Sequence, residues 1–465
     1  MRTIALLSTL FLLPTICAGE EIDLGSRLEL FVDGSLIEKV TGDVQHKVHQ
    51  PEPGDVVLTT DKPWEGNTCA YYTIFQDGNL FRMYYRGSHA DEKTRKGLHP
   101  EVTCYAESRD GIHWTRPELG IVEYEGSKAN NIILDGLGSH CFVAFKDDNP
   151  ECPPEAKYKG ISRGRPHGKK GLYVFQSPDA VHWSLIKDEP VITEGAFDSQ
   201  NLAFWDPVTK QYVDYHRYFA NGVRSILTCT SDDYVNWTKP VPLTYPGQPH
   251  QHLYTNAVRP YFRAPHIRVG FPTRFLPKTE QVEPVFMSSR DGVTFTRYAD
   301  AVIPQSAPAD RDGNRSNYMA NGLVQLPGDE KTLTVYATEA YYAGPDSRLR
   351  RFIYRVDGFV SMHAGEEGGE FVTPPLKTAG GQLILNYETR EGGSVQVEVQ
   401  RADGTPVPDY TLSKSNKLTG DKINGAVNWS GKESVAIPSG EPIRLRFVMK
   451  NADLYSLRFR PDDGD

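Results

Sequence analysis

The sequence predicts an all-β chain, five like four-stranded units in a row and then a β-sandwich. Three observations lead there. A short phrase recurs: "YAESRDGIHWTRP" (105–117), "VFQSPDAVHWSLI" (174–186), "CTSDDYVNWTKP" (229–240) and "FMSSRDGVTFTRY" (286–298), with a fainter fifth copy at "YRVDGFVSM" (354–362). Each full copy has Ser, an Asp two residues on and an aromatic four after that: Ser108/Asp110/Trp114, Ser177/Asp179/Trp183, Ser231/Asp233/Trp237 and Ser289/Asp291/Phe295. The serines are 69, 54 and 58 residues apart, a spacing that marks an array of like supersecondary units. The composition, with 24 Tyr and 20 Phe beside 41 Gly and 33 Pro, suits many strands joined by turns, and helical periodicity is hard to find. Four strands per unit, repeated five times, is the pattern of a five-bladed β-propeller.

The elements follow in chain order. "MRTIALLSTLFLLPTICAGEE" has one arginine, a short apolar run, small residues and then acids, the pattern of a signal peptide over residues 1–19. The propeller is expected over 25–362. In its first unit "NTCAYYTIFQ" (67–76), "LFRMYYRG" (80–87), "VTCYAES" (102–108) and a segment beginning "IHWT" (112–115) read as an antiparallel meander. The third unit repeats this with "NLAFWD" (201–206), "QYVDYHRY" (211–218), "RSILTCTS" (224–231) and "NWTK" (236–239). The recurring phrase then covers the end of the third strand, a turn and the outermost strand. Ser and Asp cap the turn and the aromatic packs between blades, so no chemistry is assigned to those aspartates. After the Gly/Glu-rich "HAGEEGGE" (363–370), alternating strands from 371 to 461 read as a β-sandwich.

Net charge is −9, which disfavours nucleic acid and anionic membrane surfaces as partners. No stretch after the leader is long and apolar enough to span a bilayer. The expected setting is the secreted or periplasmic space, and the expected state a monomer. Cys69, Cys104, Cys141, Cys152 and Cys229 carry no metal-ligand spacing. Cys141 and Cys152 are either a disulfide or small buried thiols. No metal and no cofactor is expected.

With repeated S-x-D-G-x-x-W at the blade ends and a trailing sandwich, the chain resembles five-bladed propeller glycoside hydrolases of the invertase, levanase and arabinanase types. The resemblance covers nearly the whole mature chain as architecture. The invertase hallmarks Asn-Asp-Pro-Asn-Gly, Arg-Asp-Pro and Glu-Cys are not present as such. "WEGN" (64–67) stands at about the place of the first, and "FDSQNLAFWDP" (197–207) resembles the region of the second. The resemblance implies a carbohydrate substrate and a site where the first strands enter the central channel.

Those entrances offer Trp64, Glu65 and Asn67; His140; Asp198, Gln200 and Asn201; His250, His252, Tyr254 and Asn256; and Asp310, Arg311, Asp312, Asn314, Arg315 and Asn317. Second strands add Arg86, His216, Arg217, Arg274 and Glu339. Glycoside hydrolysis needs two carboxyl groups facing across the scissile bond, and a third often tunes them. Glu65 and Asp198 are the expected pair and Glu339 the third, with Asp310 or Asp312 as replacements. Trp64, Asn67, Arg86, Gln200, His216, Arg217, His252, Tyr254, Arg274 and Arg315 are the expected substrate contacts. Several arginines around one pocket of an acidic protein suit a sulfated or uronic glycan. The expected function is a glycoside hydrolase. A non-catalytic carbohydrate-binding propeller and a phosphorylase of similar fold are the alternatives.

Overall fold

The computed structural model describes residues 21–304, 317–436 and 441–461. The expected leader lies outside the described residues. Among them no helix is long and apolar enough to cross a membrane. The chain divides into two compact units, one of residues 30–33 and 46–362, the other of the remaining residues up to 45 and those from 363 on.

The larger unit contains five four-stranded antiparallel blades. The first runs Ala70–Asp77, Leu80–Gly87, Val102–Ser108, Ile132–Asp135, and the second Val143–Lys146, Tyr158–Gly164, Gly171–Ser177, Ser184–Leu185. The third is Leu202–Asp206, Gln211–Ala220, Val223–Ser231, Val241–Pro242. The fourth is Arg259–Tyr261, Ala264–Gly270, Gln281–Ser289, Thr296–Ala301, with Thr273–Leu276 as an added hairpin strand. The fifth joins Tyr318–Val324, Thr332–Glu339 and Arg348–Arg355 to Glu52–Thr59, an early strand that pairs antiparallel to Arg348–Arg355 and completes the blade. A parallel pairing of Asn321 with Thr73 links the innermost strands of the fifth and first blades. The fold is the predicted all-β array.

The recurring phrase does what its residue types suggest. Ser108 Oγ accepts from the Gly111 N–H at 2.9 Å, and Asp110 Oδ1 accepts from the N–H groups of Ile112 and His113 at 2.9 and 2.8 Å. The Trp114 indole donates to the Gly111 carbonyl at 3.1 Å. The second blade repeats the pattern at Ser177, Asp179 and Trp183, and in the third Asp233 and Trp237 make the same bonds. The fourth strands of the first and third blades lie further on than expected. Residues 112–115 and 236–239 spend their backbone groups on the capped turn and a single bridge, and regular pairing resumes only at Ile132 and Val241.

In the smaller unit the strands belong to one hydrogen-bonded network of nine, built on the long antiparallel pair Gly381–Arg401 and Ile443–Arg460. Their register shifts between Thr389 and Ser394. A side chain at Gly393 would meet the Asn451 carbonyl at 2.4 Å, so only glycine passes this bend. Residues 22–25 and 39–45 also pair within this network. That moves the start of the propeller from the expected residue 25 to about residue 46, because these early strands find their backbone partners here.

Candidate active site

All five innermost strands begin at one end of the larger unit. There non-glycine residues sit in the left-handed region: Tyr71 (φ 60°), Ala257 (φ 44°), Asn317 (φ 69°), Ala340 (φ 57°) and Tyr342 (φ 62°). Such residues persist only where packing over-determines them, and they cluster at binding sites. The packing here is aromatic and cationic. Tyr254 meets Tyr318 edge-on at 5.6 Å, and Tyr318 meets Tyr341 at 5.4 Å. The Arg86 guanidinium lies 4.8 Å from the Tyr71 ring centre and Arg217 4.9 Å from that of Tyr254.

Beside this aromatic floor opens a cavity of about 750 Å³ whose lining includes Glu101, His140, Arg163, Arg165, Lys170, Asp198 and Arg217. Its centre is a chain of three side chains from three connecting segments. His140 Nδ1 lies 2.6 Å from Glu101 and Nε2 lies 2.8 Å from Asp198. With both nitrogens against carboxylates the ring acts as a double donor, the imidazolium form. Burial alone would lower its pKa, but Cys141 and the hydrogen bonds to Asp198 and Glu101 outweigh that and push it up to about 10. The hydrogen bond from His140 holds Asp198 well below the usual carboxylate range, aided by Arg163 and Arg217. Burial opposes ionisation of Glu101, yet His140 and Arg86 hold its pKa down. Arg163 lies 3.3 Å from Asp198 and Arg86 3.2 Å from Glu101. The lining therefore carries five cationic side chains, counting His140, against two carboxylates. Asp198 is 57% exposed. An ionised carboxylate of this kind can take a proton or attack a carbon centre, the imidazolium can donate a proton, and the guanidinium groups can bind an anion.

Of the residues expected from sequence, Asp198, Arg86 and Arg217 meet at this site, with Tyr254 in its floor. The other two expected carboxylates do not. Glu65 is fully buried: Arg116 donates to it at 2.6 Å, Tyr85 at 2.5 Å and the Lys62 N–H at 3.1 Å. Burial raises its pKa against the opposing pull of Arg116. Glu339 is likewise buried, between Arg350 at 2.6 Å and Arg348 at 3.2 Å. Both carboxylates tie strands together through arginines and neither opens to the cavity.

Several expected contacts are structural as well. Trp64 donates to Asn131 at 2.7 Å inside the first blade, and Asn67 clamps the Ala90 and Gly344 backbones. Gln200 donates to the Tyr72 carbonyl at 2.9 Å. His252 accepts from the Arg224 N–H, and Arg274 is spent on Glu283 and the Ala299 carbonyl. Arg315, Asp310 and Asp312 lie outside the described residues. His216 sits behind the cavity, between Asp214 and the Glu194 carbonyl, and so fixes the strand lead that carries Asp198. With Cys229 it forms a fully buried group, Asp214, His216 and Cys229, whose ligand atoms lie within 4.8 Å of one another. This is the described grouping that could hold a metal ion. Cys141 and Cys152 are free thiols, so no bridge joins them.

Glu101 and Arg163 were missed, and each had a signal. In an antiparallel meander the third strand starts at the same end as the first, which puts Glu101, one residue before Val102–Ser108, at the site. Arg163 lies near the end of the second strand of the second blade, as Arg86 and Arg217 do in theirs.

No family model matches the chain. Two uncharacterized proteins of Mycobacterium tuberculosis are 27% identical over 146 residues, and the match spans 30% of this chain and 41% of each relative. Among solved structures it is similar to a thermostable family-43 glycoside hydrolase, with 11% identity, 68% of this chain, 95% of the other and a TM-score of 0.45. The family-32 β-fructofuranosidase of Bombyx mori aligns at 10% identity over 89% of this chain and 94% of its own, with a TM-score of 0.43. A family-130 structure, from a group of mannoside phosphorylases that contains glycoside hydrolases, aligns at 13% over 66% and 94%, with a TM-score of 0.43. Likenesses of this size assign no residue and no reaction to the chain.

Proposed function

We propose that the protein is a carbohydrate-active enzyme that cleaves a glycosidic bond in an anionic glycan, uronic or sulfated, at the Asp198 cavity. One observation carries the reading: five cationic side chains surround a solvent-open, ionised carboxylate in a chain of net charge −9. Arg163, Arg165, Lys170 and Arg217 hold the anionic group. Asp198, held ionised by His140, acts as nucleophile or base, and the leaving oxygen takes its proton from water in the open cavity. The leader-like residues 1–19 support action outside the cytoplasm. The test is a screen of paired sulfated and desulfated, or uronic and carboxyl-reduced, polysaccharides, scored for both binding and new reducing ends. Release is expected from the anionic partner and is lost in Asp198→Asn while binding persists. Equal action on the neutral partner overturns the anionic assignment, and full release by Asp198→Asn overturns the catalytic one. Release that requires phosphate points to a phosphorylase.

A second reading, a non-catalytic glycan binder, has its own support. Neither carboxyl group of the cavity is held protonated, whereas most glycosidases keep one as the acid. Binding of the anionic glycan with no bond cleaved by the wild-type protein decides for it.

A further inference from the structure

The five innermost strands end at a second cavity, of about 730 Å³, at the other end of the same unit. Its wall is rich in rings: Phe75, Phe145, Phe204, Trp205 and Phe262. Phe262 is 49% exposed, so the ring wall reaches the surface. Two polar side chains of this lining have incomplete hydrogen bonding. Arg259 lies on the three-residue innermost strand of the fourth blade, Arg259–Tyr261, and among the described residues its one hydrogen bond is a long one, 3.4 Å, to the Leu323 carbonyl. Burial pulls its pKa down to about 10, and no neighbouring carboxylate offsets that. Asn321, on the innermost strand of the fifth blade, is 6% exposed, and its Oδ1 accepts no hydrogen bond. A half-buried cation with one long hydrogen bond and an orphaned acceptor at one ring-walled cavity are complementary to one kind of guest.

We propose that this cavity is a separate ligand site and takes a small amphipathic monocarboxylate. The carboxylate pairs with the Arg259 fork, a hydroxyl or N–H on the guest donates to Asn321, and the aliphatic or aromatic body lies against the rings. The surrounding charges limit the guest to a single negative charge, because each added one raises the repulsion. Asp148, Asp329 and Glu330 also line the cavity, and Lys146 is held by Asp77 at 3.2 Å, so a phosphate or a dicarboxylate meets repulsion. This reading does not depend on the reaction assigned to the Asp198 cavity.

The test uses the whole protein with octanoate, 3-hydroxyoctanoate and 3-phenylpropanoate, each beside its neutral amide, followed by calorimetry and thermal midpoint. The acids are expected to bind and raise the midpoint, the hydroxy acid best, and their amides to bind about tenfold more weakly or worse. Arg259→Gln is expected to lose that preference while glycan binding at the Asp198 cavity stays unchanged. Arg259→Lys, which keeps the charge, is expected to retain part of it should the glutamine variant fold poorly. Equal binding of acid and amide, undiminished binding by Arg259→Gln, or no binding of any probe at millimolar concentration overturns the proposal.

Discussion

Asp198 and Glu65 are both acids that lead into an innermost strand, yet their surroundings give them opposite work. Asp198 faces solvent on one side and His140 on the other, so it remains charged and reachable. Glu65 has no exposed side-chain surface and spends both oxygens on Arg116, Tyr85 and a backbone N–H. Removing one partner of a buried ion pair strands the other. Glu65→Ala is therefore expected to lower stability by about 3–5 kcal/mol in denaturant unfolding. Asp198→Asn is expected to cost less, because its ion pairs with His140 and Arg163 are open to solvent and screened. A Glu65→Ala protein of wild-type stability would return Glu65 to the list of candidate catalytic groups.

His140 gives the site a pH signature. Its folded pKa, about 10, exceeds the ordinary 6.5, so its contribution is whole below 6.5 and fades as pH rises toward 10. Glu101 and Asp198 have lowered values, so their contribution is present above their ordinary 4.5 and 3.8 and is lost in more acid solution. The stability gap between wild type and His140→Gln is thus expected to be widest between about pH 4.5 and 6.5 and to narrow toward pH 10. A gap that widened with rising pH would show that the ring is held neutral.

At the scale of elements, the repeated turn is the unit of construction. One aspartate accepts two consecutive N–H groups that the turn would otherwise leave unpaired, and the tryptophan closes over the same turn from the side chain. In the third blade Asp233 does this for Val235 and Asn236 at 2.9 and 2.7 Å. Burial opposes its ionisation, but these bonds hold its pKa down at about 2. Asp233→Ala is expected to cost about 1–2 kcal/mol in unfolding experiments and to leave glycan binding alone, since the turn lies away from the cavity. Lost glycan binding at unchanged stability would mean that the turn contributes to the site. The fifth blade shows the limit of the repeat. Its copy keeps Asp357, which accepts from Tyr261 and Arg263, and the missing outer strand comes from Glu52–Thr59.

For the larger unit as a whole, the meander directs every innermost strand from the Asp198 end to the Arg259 end, so one stack of blades presents two different mouths. One is charged and ringed by residues that precede first or third strands or lie near the ends of second strands. The other is rich in rings and built mostly from the far ends of innermost strands. The first collects cations although the chain is acidic overall, because charge is placed by strand position and not by net composition.

The sequence by itself determined the all-β array, its five-fold repeat, the capping work of Ser108, Asp110 and Trp114, and the end of the blades where polar groups gather. Those features rest on local periods and on residues a few positions apart, which the chain order displays directly. It also brought Asp198, Arg86 and Arg217 to that end. Only the tertiary structure decided that Glu65 and Glu339 turn inward to arginines, that His140 joins Glu101 to Asp198, and that early strand 52–59 completes the last blade. Each of these is a contact between residues far apart in the chain. A carboxylate before a strand has the same local pattern whether its nearest cation lies across a cavity or against its own oxygens, and that distance is settled only when the blades pack.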